Sequence, residues 1–362
     1  VNSFGRFLRD TFVLRHKYIS SYSLFTIRYS LIDKRRAVSP NINWRVHIIM
    51  DINDYTPKGK IHNKHLLTLL DYQPCEIFEI LKLAQNLKCL LKKGKPHPYL
   101  SGKTLAMIFT KSSTRTRVSF EQGIRQLGGT PMFLSGADIQ LGRGEPISDT
   151  VRVLQRYNVD GIMIRTFAQS DVVELANCGT IPIINGLTDD FHPCQALADI
   201  LTVYEYCGKL SGVKLAFFGD GNNVANSLMI AGAKTGMEVV VCSPASHAPN
   251  PEIVKKAQEC GNVWVTDNPE AAIKGADAVY TDVFFSMGQE IDPQKEKELA
   301  RYQVNAELMA KAKTSAVFMH CLPCHRGEEV TEEVIDSPRS VIFEQAENRL
   351  HAQKAVMTLL MG

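Results

Sequence analysis

From residue 75 onward the chain switches between two hydrophobic periods. "CEIFEILKLAQNLKCLLKK" places apolar residues three and four apart and is closed by Gly94 and Pro96, which predicts an amphipathic helix. Short apolar runs of strand length then alternate with helical stretches. "TLAMIF" precedes a helix over Arg115–Leu127, "PMFL" a helix over Ile147–Tyr157, and "GIMI" a helix over Asp171–Asn177. "IPII" precedes a helix over Pro193–Tyr206. The alternation restarts at "VKLAFFG", followed by a helix over Ala225–Thr235, strand "EVVVC", helix "PEIVKKAQEC", strand "NVWVT", a short helix over Pro269–Lys274 and strand "DAVYTD". One long charged helix is expected over Lys295–Lys313, then strand "SAVFMH", then a closing helix "AENRLHAQKAVMTLLM".

Short apolar strands separated by helices imply parallel sheets covered on both faces. Two such runs, joined near residues 193–210, predict an α/β protein of two doubly wound parallel-sheet domains. Ligands of such sheets bind beyond the carboxyl ends of the strands. That edge carries "TKSSTRTR", "MIRT", "INGLTDDFHPCQ", "GDGNN", "TDVFFSMG" and "HCLP", so the site is expected between the domains.

Composition changes this picture little. A chain of 362 residues with 44% hydrophobic and 22% charged residues can bury two cores without staples. No apolar run is long enough to cross a bilayer. Residues 1–49 hold nine Arg and Lys against two Asp, a surplus of seven, which leaves the remainder about −4 of the net +3. Nothing in that body suggests nucleic-acid binding. The basic, Ser-rich N-terminus reads first as an extension or an early start ahead of Met50, and second as an organelle transit peptide. Nine cysteines at irregular spacing read as reduced thiols in a cytoplasmic compartment, or in a mitochondrial matrix or plastid if the first segment is a transit peptide.

The chemistry begins at "FTKSSTRTR". A strand ends, and Ser112, Ser113, Thr114, Arg115, Thr116 and Arg117 open a helix. Free N–H groups, the positive dipole end, hydroxyls and forked cations on one turn suit a phosphate. The plainer reading is a Ser/Thr cap beside surface arginines. "GDGNN" after a strand invites a dinucleotide reading, yet Val224 stands in place of a third glycine and Ser243 in place of an acidic ribose partner; the case for an NAD-dependent dehydrogenase is weak. "HCLPCH" contains Cys321-x-x-Cys324-His325, a pattern shared by haem attachment, half a zinc site, a redox pair, or one working cysteine beside a bystander. No second Cys-x-x-Cys accompanies it.

The motifs "STRTR", "HPCQ", "GDGNN", "FSMG", "HCLP" and "ENR", in that order, resemble the aspartate/ornithine carbamoyltransferase family from about residue 65 to the end. The resemblance implies an extension at 1–64, a carbamoyl-phosphate-binding domain at 65–200 with helix 343–362 packing back on it, and an ornithine-binding domain at 201–342. It implies transfer of a carbamoyl group from carbamoyl phosphate to the side-chain amine of L-ornithine, giving citrulline and phosphate in arginine metabolism, with putrescine or another amine as the alternative acceptor. Ser113, Thr114, Arg115 and Thr116 would hold the phosphate, with Arg349 on the same side. Arg165 would reach phosphate and carbonyl. His192 and Gln195 would bond the carbamoyl group, and Gln140 would reach into a neighbouring subunit's site. Asn223, Asp282, Ser286 and Met287 would hold the amino acid. Cys321, with the Leu322 backbone, would face both substrates, Cys321, Arg165 and His192 being the catalytic set. The family's homotrimer is implied; no metal, organic cofactor, nucleic acid or membrane is. Taken singly, each residue has a plain reading: surface ion pair for Arg165, loop histidine for His192, loop cap for Gln140, helix charge for Arg349, helix cap for Asn223 or Asp282.

Overall fold

The computed structural model describes residues 52–286, 290 and 292–362; the N-terminal segment and Met287 lie outside the described residues. Nine strands and twelve α-helices are described, in two lobes. In the first lobe α1 (Pro74–Lys92) precedes β1 (Thr104–Phe109), α2 (Thr114–Gln126), β2 (Thr130–Ser135), α3 (Ile147–Arg156), β3 (Gly161–Arg165), α4 (Gln169–Cys178), β4 (Ile183–Leu187) and α5 (Pro193–Cys207). The second holds β5 (Lys214–Phe218), α6 (Asn223–Lys234), β6 (Glu238–Cys242), α7 (Pro251–Cys260), β7 (Val263–Thr266), α8 (Pro269–Ile273), β8 (Ala278–Thr281), α9 (Pro293–Leu299), α10 (Ala306–Ala310), β9 (Val317–His320) and α11 (Glu332–Ile335). The final helix α12 (Ile342–Met361) packs on α1, α2 and α5 of the first lobe.

All strand pairs are parallel. The sheets have orders β2-β1-β3-β4 and β7-β6-β5-β8-β9. Each therefore reverses direction once, between β1 and β3 and between β5 and β8. At such a point the outgoing loops diverge and leave a crevice.

Local sequence explains the boundaries. Ser113 caps α2, its Oγ accepting the Thr116 N–H at 3.2 Å. Asn222 caps α6 through the N–H groups of Val224 and Ala225. Proline opens α1, α5, α7, α8 and α9, where its missing N–H costs nothing. Gly208 ends α5 with φ 69°.

Two expectations need correction. The long helix over 295–313 is two short helices. Between them Val304 leaves the helical path to pair with Val330: its N–H donates to the Glu329 carbonyl at 2.9 Å, and its carbonyl accepts from Thr331. Asn305 then caps the next helix. Burying Val304 outweighs the run of helix-forming charged residues. Strand β4 also lies two residues later than "IPII", because Leu66 adds beside Ile184 and the Asn185 side chain is held by the Leu67 carbonyl.

One apolar cluster runs from α1 and one face of the first sheet (Leu105, Met107, Phe109) through α5 (Leu197, Leu201) to one face of the second (Leu215, Phe217) with α6 (Met229), and on to α12 (Val356, Met357). A second contact ties the lobes: Lys234 on α6 donates to the carbonyls of Leu70 and Tyr72.

Candidate active site

The two switch points face each other across a cleft of about 560 Å³. All six loops named above contribute to its lining.

On the first-lobe side, the turn into α2 supplies Ser113, Thr114, Arg115 and Thr116, β3 ends on Arg165, and α12 supplies Arg349. Arg165 and Arg349 are both buried. Burial first, and then the charges of Arg349 and Arg115, draw the Arg165 guanidinium down to about 10, still charged at neutral pH. Its Nε is buried with no partner among the described residues. Arg349 donates through Nη1 to Gln195 Oε1, and its Nη2 lies 3.5 Å from Thr116 Oγ1. Lys111 pairs with Asp189 at 2.6 Å and lies over the Phe167 ring.

His192 and Gln195 sit at the N-terminal turn of α5 and are buried. The His192 N–H donates to Ser227 Oγ at 2.7 Å, which fixes this turn against the second lobe. Burial, then the charges of Arg349 and Arg165, hold the His192 imidazole well below its ordinary value. The ring is thus neutral, and its Nδ1 has no protein partner among the described residues.

The second-lobe side is acidic and amide-rich: Asp220, Asn222, Asn223, Asp282 and Ser286 line it. Asp282 accepts from Cys321 Sγ at 2.9 Å and from Asn222 Nδ2 at 2.8 Å. Burial, then the Asp282 charge, push the Cys321 thiol well above its ordinary range. The sulfur therefore keeps its proton, and the resting acceptor is the carboxylate. Asp220 pairs with Lys295 at 2.9 Å. Asn223 lines the cleft while its amide donates to the Thr188 carbonyl.

The "HCLP" loop is held from behind. The His320 N–H donates to Gln345 Oε1, His320 Nδ1 accepts from the Leu322 N–H, and His320 Nε2 meets Glu329. Leu322 has φ 59°, a costly conformation for a branched residue, and these bonds over-determine it.

Gln140 lies in a short 3-10 turn and is not among the lining residues of this cleft. Reading residues singly from sequence missed Lys111, Phe167, Asp189, Asp220 and Asn222. Lys111 could have been found as a cation one residue ahead of the phosphate turn. Asn222, not Asn223, is the helix cap.

Two ligand-type clusters occur among the described residues: Asp282, His320 and Cys321, and His325, Glu328 and Glu329. In the first, the donor atoms are committed to one another and to Leu322 and Glu329, and in the second Glu329 Oε1 already accepts from His320 and the His325 N–H. The dinucleotide alternative meets a steric obstacle. A Cβ on Gly221 would lie 2.2 Å from the Pro249 nitrogen, and the Gly221 N–H is spent on the His247 carbonyl. Residues 247–249 occupy the space a pyrophosphate would need over that glycine.

Comparison with known proteins bears on this geometry. A family model described as the aspartate/ornithine carbamoyltransferase carbamoyl-P binding domain matches residues 64–205, and its Asp/Orn binding domain counterpart matches 211–360. The chain is 56% identical over 310 residues to the ornithine carbamoyltransferase of Oceanobacillus iheyensis, covering 84% of this chain and 96% of that one. It resembles the solved structure of the Pyrococcus furiosus ornithine carbamoyltransferase with a TM-score of 0.80 at 53% identity, over 83% of this chain and 97% of that one. A mitochondrial ornithine carbamoyltransferase from Coccidioides immitis gives 0.76 at 38% identity, over 82% and 97%.

Proposed function

The chain belongs to the aspartate/ornithine carbamoyltransferase family, and from that premise we propose that it transfers the carbamoyl group of carbamoyl phosphate to the side-chain amine of L-ornithine, releasing L-citrulline and phosphate. The observation that carries the substrate choice is the segregation of charge across the cleft. Arg115, Arg165 and Arg349 face Asp282 and Asp220. A dianionic donor fits the first wall and a cationic amine the second. An aspartate acceptor would bring a second carboxylate against Asp220 and Asp282, where no cation other than the already paired Lys295 is described.

The roles follow from the chemistry. Ser113, Thr114, Arg115 and Thr116 hold the phosphate at the α2 N-terminus, where N–H groups and the dipole favour an anion. Arg165, Arg349 and the neutral His192 offer donors to the carbonyl oxygen as it becomes an oxyanion. The amine nitrogen attacks the carbamoyl carbon, the C–N bond forms, and the C–O bond to phosphate breaks. Before attack the ammonium must lose a proton, which costs about 4–5 kcal/mol at pH 7 for a free amine of pKa near 10.4. The Asp282–Cys321 pair takes that proton, the carboxylate being the acceptor nearest the thiol. Asn223, Ser286 and Met287 hold the α-amino-acid end, and the Leu322 backbone faces the carbamoyl group.

A homotrimer is part of this reading. The edge strand β2 leaves Met132 and Phe133 exposed, and α2 leaves Val118 exposed, apolar surface suited to a second copy; Gln140 lies on the turn that follows β2. Light scattering is expected to give three times the chain mass. All nine cysteines are free, which fits work in a reducing compartment.

The test is product formation from carbamoyl phosphate with ornithine, putrescine and aspartate in parallel. Citrulline from ornithine is expected; product from putrescine alone would overturn the acceptor assignment.

A further inference from the structure

Asp199 takes no part in the reaction as described, yet its side chain is fully buried one turn beyond Gln195 on α5. Burial pushes its carboxyl up to about 7, so part of the population carries a proton at neutral pH; that proton sits on Oδ2, because Oδ1 is occupied by two N–H donors. Oδ1 accepts from Gln195 Nε2 at 2.8 Å and from Gln345 Nε2 at 2.7 Å, and Oδ2 from the Tyr280 hydroxyl at 3.2 Å. One acidic group thereby joins α5, β8 and α12. Among the described residues no cation contacts it directly.

The consequence falls on Gln195. A carboxamide has one accepting and one donating end, and rotating it by 180° exchanges them. Here one end meets Asp199 Oδ1, which accepts from Gln345 as well, and the other meets Arg349, which only donates. Only one orientation satisfies both. The NH2 group turns away toward Asp199, and the carbonyl oxygen turns toward the cleft that Gln195 lines. Arg349 uses one lone pair of that oxygen and the second remains.

We propose that Asp199 is a positioning residue for acyl-group specificity: by fixing the Gln195 amide it presents an acceptor, and never a donor, to the group on the carbamoyl carbon. An acceptor there suits the NH2 of a carbamoyl group. It offers nothing to the methyl of an acetyl group and repels the oxygen of a carboxylate. This rests on the carbamoyl-phosphate reading above. Gln345 backs the arrangement, since its own oxygen is committed to the His320 N–H, so its NH2 faces Asp199 for the same reason.

The experiment compares carbamoyl phosphate as substrate with acetyl phosphate as competitor, reading the ratio of acetyl phosphate Ki to carbamoyl phosphate KM. Asp199→Asn keeps an acceptor oxygen in place and is expected to hold the ratio within about threefold of wild type. Asp199→Leu removes the acceptor and is expected to lower the ratio at least tenfold. Gln195→Met, which leaves Asp199 its bonds to Gln345 and Tyr280, is expected to lower it as far and serves if Asp199→Leu does not fold. An unchanged ratio in Gln195→Met or in folded Asp199→Leu overturns the proposal. So does a tenfold loss in Asp199→Asn, which would show that charge, not acceptor geometry, matters. A purely structural role would move thermal stability and leave the ratio alone. Wild-type protein that makes no citrulline at all would instead strike at the underlying function.

Discussion

The two walls of the cleft are built by opposite means. The first-lobe wall gathers hydroxyls and Arg115 in one short segment, Ser113–Thr116, at the start of a helix, and adds Arg165 and Arg349 from buried positions. The second-lobe wall has no such segment. Its acid, Asp282, is set by a helix cap from one loop and a thiol from another. On the proposed reading, an anion of three equivalent oxygens is met by a repeated donor surface, whereas an amine that must give up one proton is met by one well-placed acceptor. Fixed charge dominates the first wall, hydrogen-bond direction the second.

Removing charge from the first wall should therefore cost most. Arg115→Gln is expected to lower kcat/KM for carbamoyl phosphate about 10³-fold at saturating ornithine; a loss below tenfold would take Arg115 out of the phosphate wall. On the second wall, Asp282→Asn is expected to cost a few hundredfold in kcat, within the range of a lost general base, with the carbamoyl phosphate KM little changed. Equal losses in both parameters would break the division between the walls. Cys321→Ser should fold normally and lose about fiftyfold in turnover, since a hydroxyl keeps the bond to Asp282 but not the sulfur's size and polarizability. Wild-type rate and ornithine affinity in that variant would remove Cys321 from the mechanism.

The smallest effect concerns stability and follows the cations inward. His351 on α12 is buried among Lys354, Lys88 and Lys92; burial first, then those charges, draw it down to about 3. The folded protein refuses a proton that the unfolded chain accepts below about 6.5. Stability is therefore lost as pH falls through that window, by about 2 kcal/mol at pH 5. His351→Leu should remove this loss. Urea unfolding at pH 7 and pH 5 measures it, and an unchanged pH dependence in the variant would show that His351 is not the group responsible.

How much of this could be read from the letters depends on whether function sits in contiguous residues. "STRTR" is legible because a helix N-terminus concentrates donors within one turn. The strands are legible because buried parallel strands are short and uniformly apolar. Asp199, Tyr280 and Gln345 were not singled out, because each looks like an ordinary residue of its own helix or strand, and they meet only after 81 and 146 residues of chain separation. A signal did exist for the first: Gln195 and Asp199 are four apart on one helix, the spacing at which side chains touch. The misread helix at 295–313 failed differently, since strand-like pairing of Val304 with Val330 is a tertiary contact that no local pattern records.

The return of α12 to the first lobe has a consequence for how the protein is made. Residues 342–361 follow in the chain every element they touch. During synthesis the first lobe leaves the ribosome without the helix that covers α1, α2 and α5 and carries Arg349. At about 5–20 residues per second, the wait while the second lobe is translated is on the order of ten seconds, with the apolar faces of three helices uncovered. A message truncated ahead of codon 342 would thus spoil the domain encoded first.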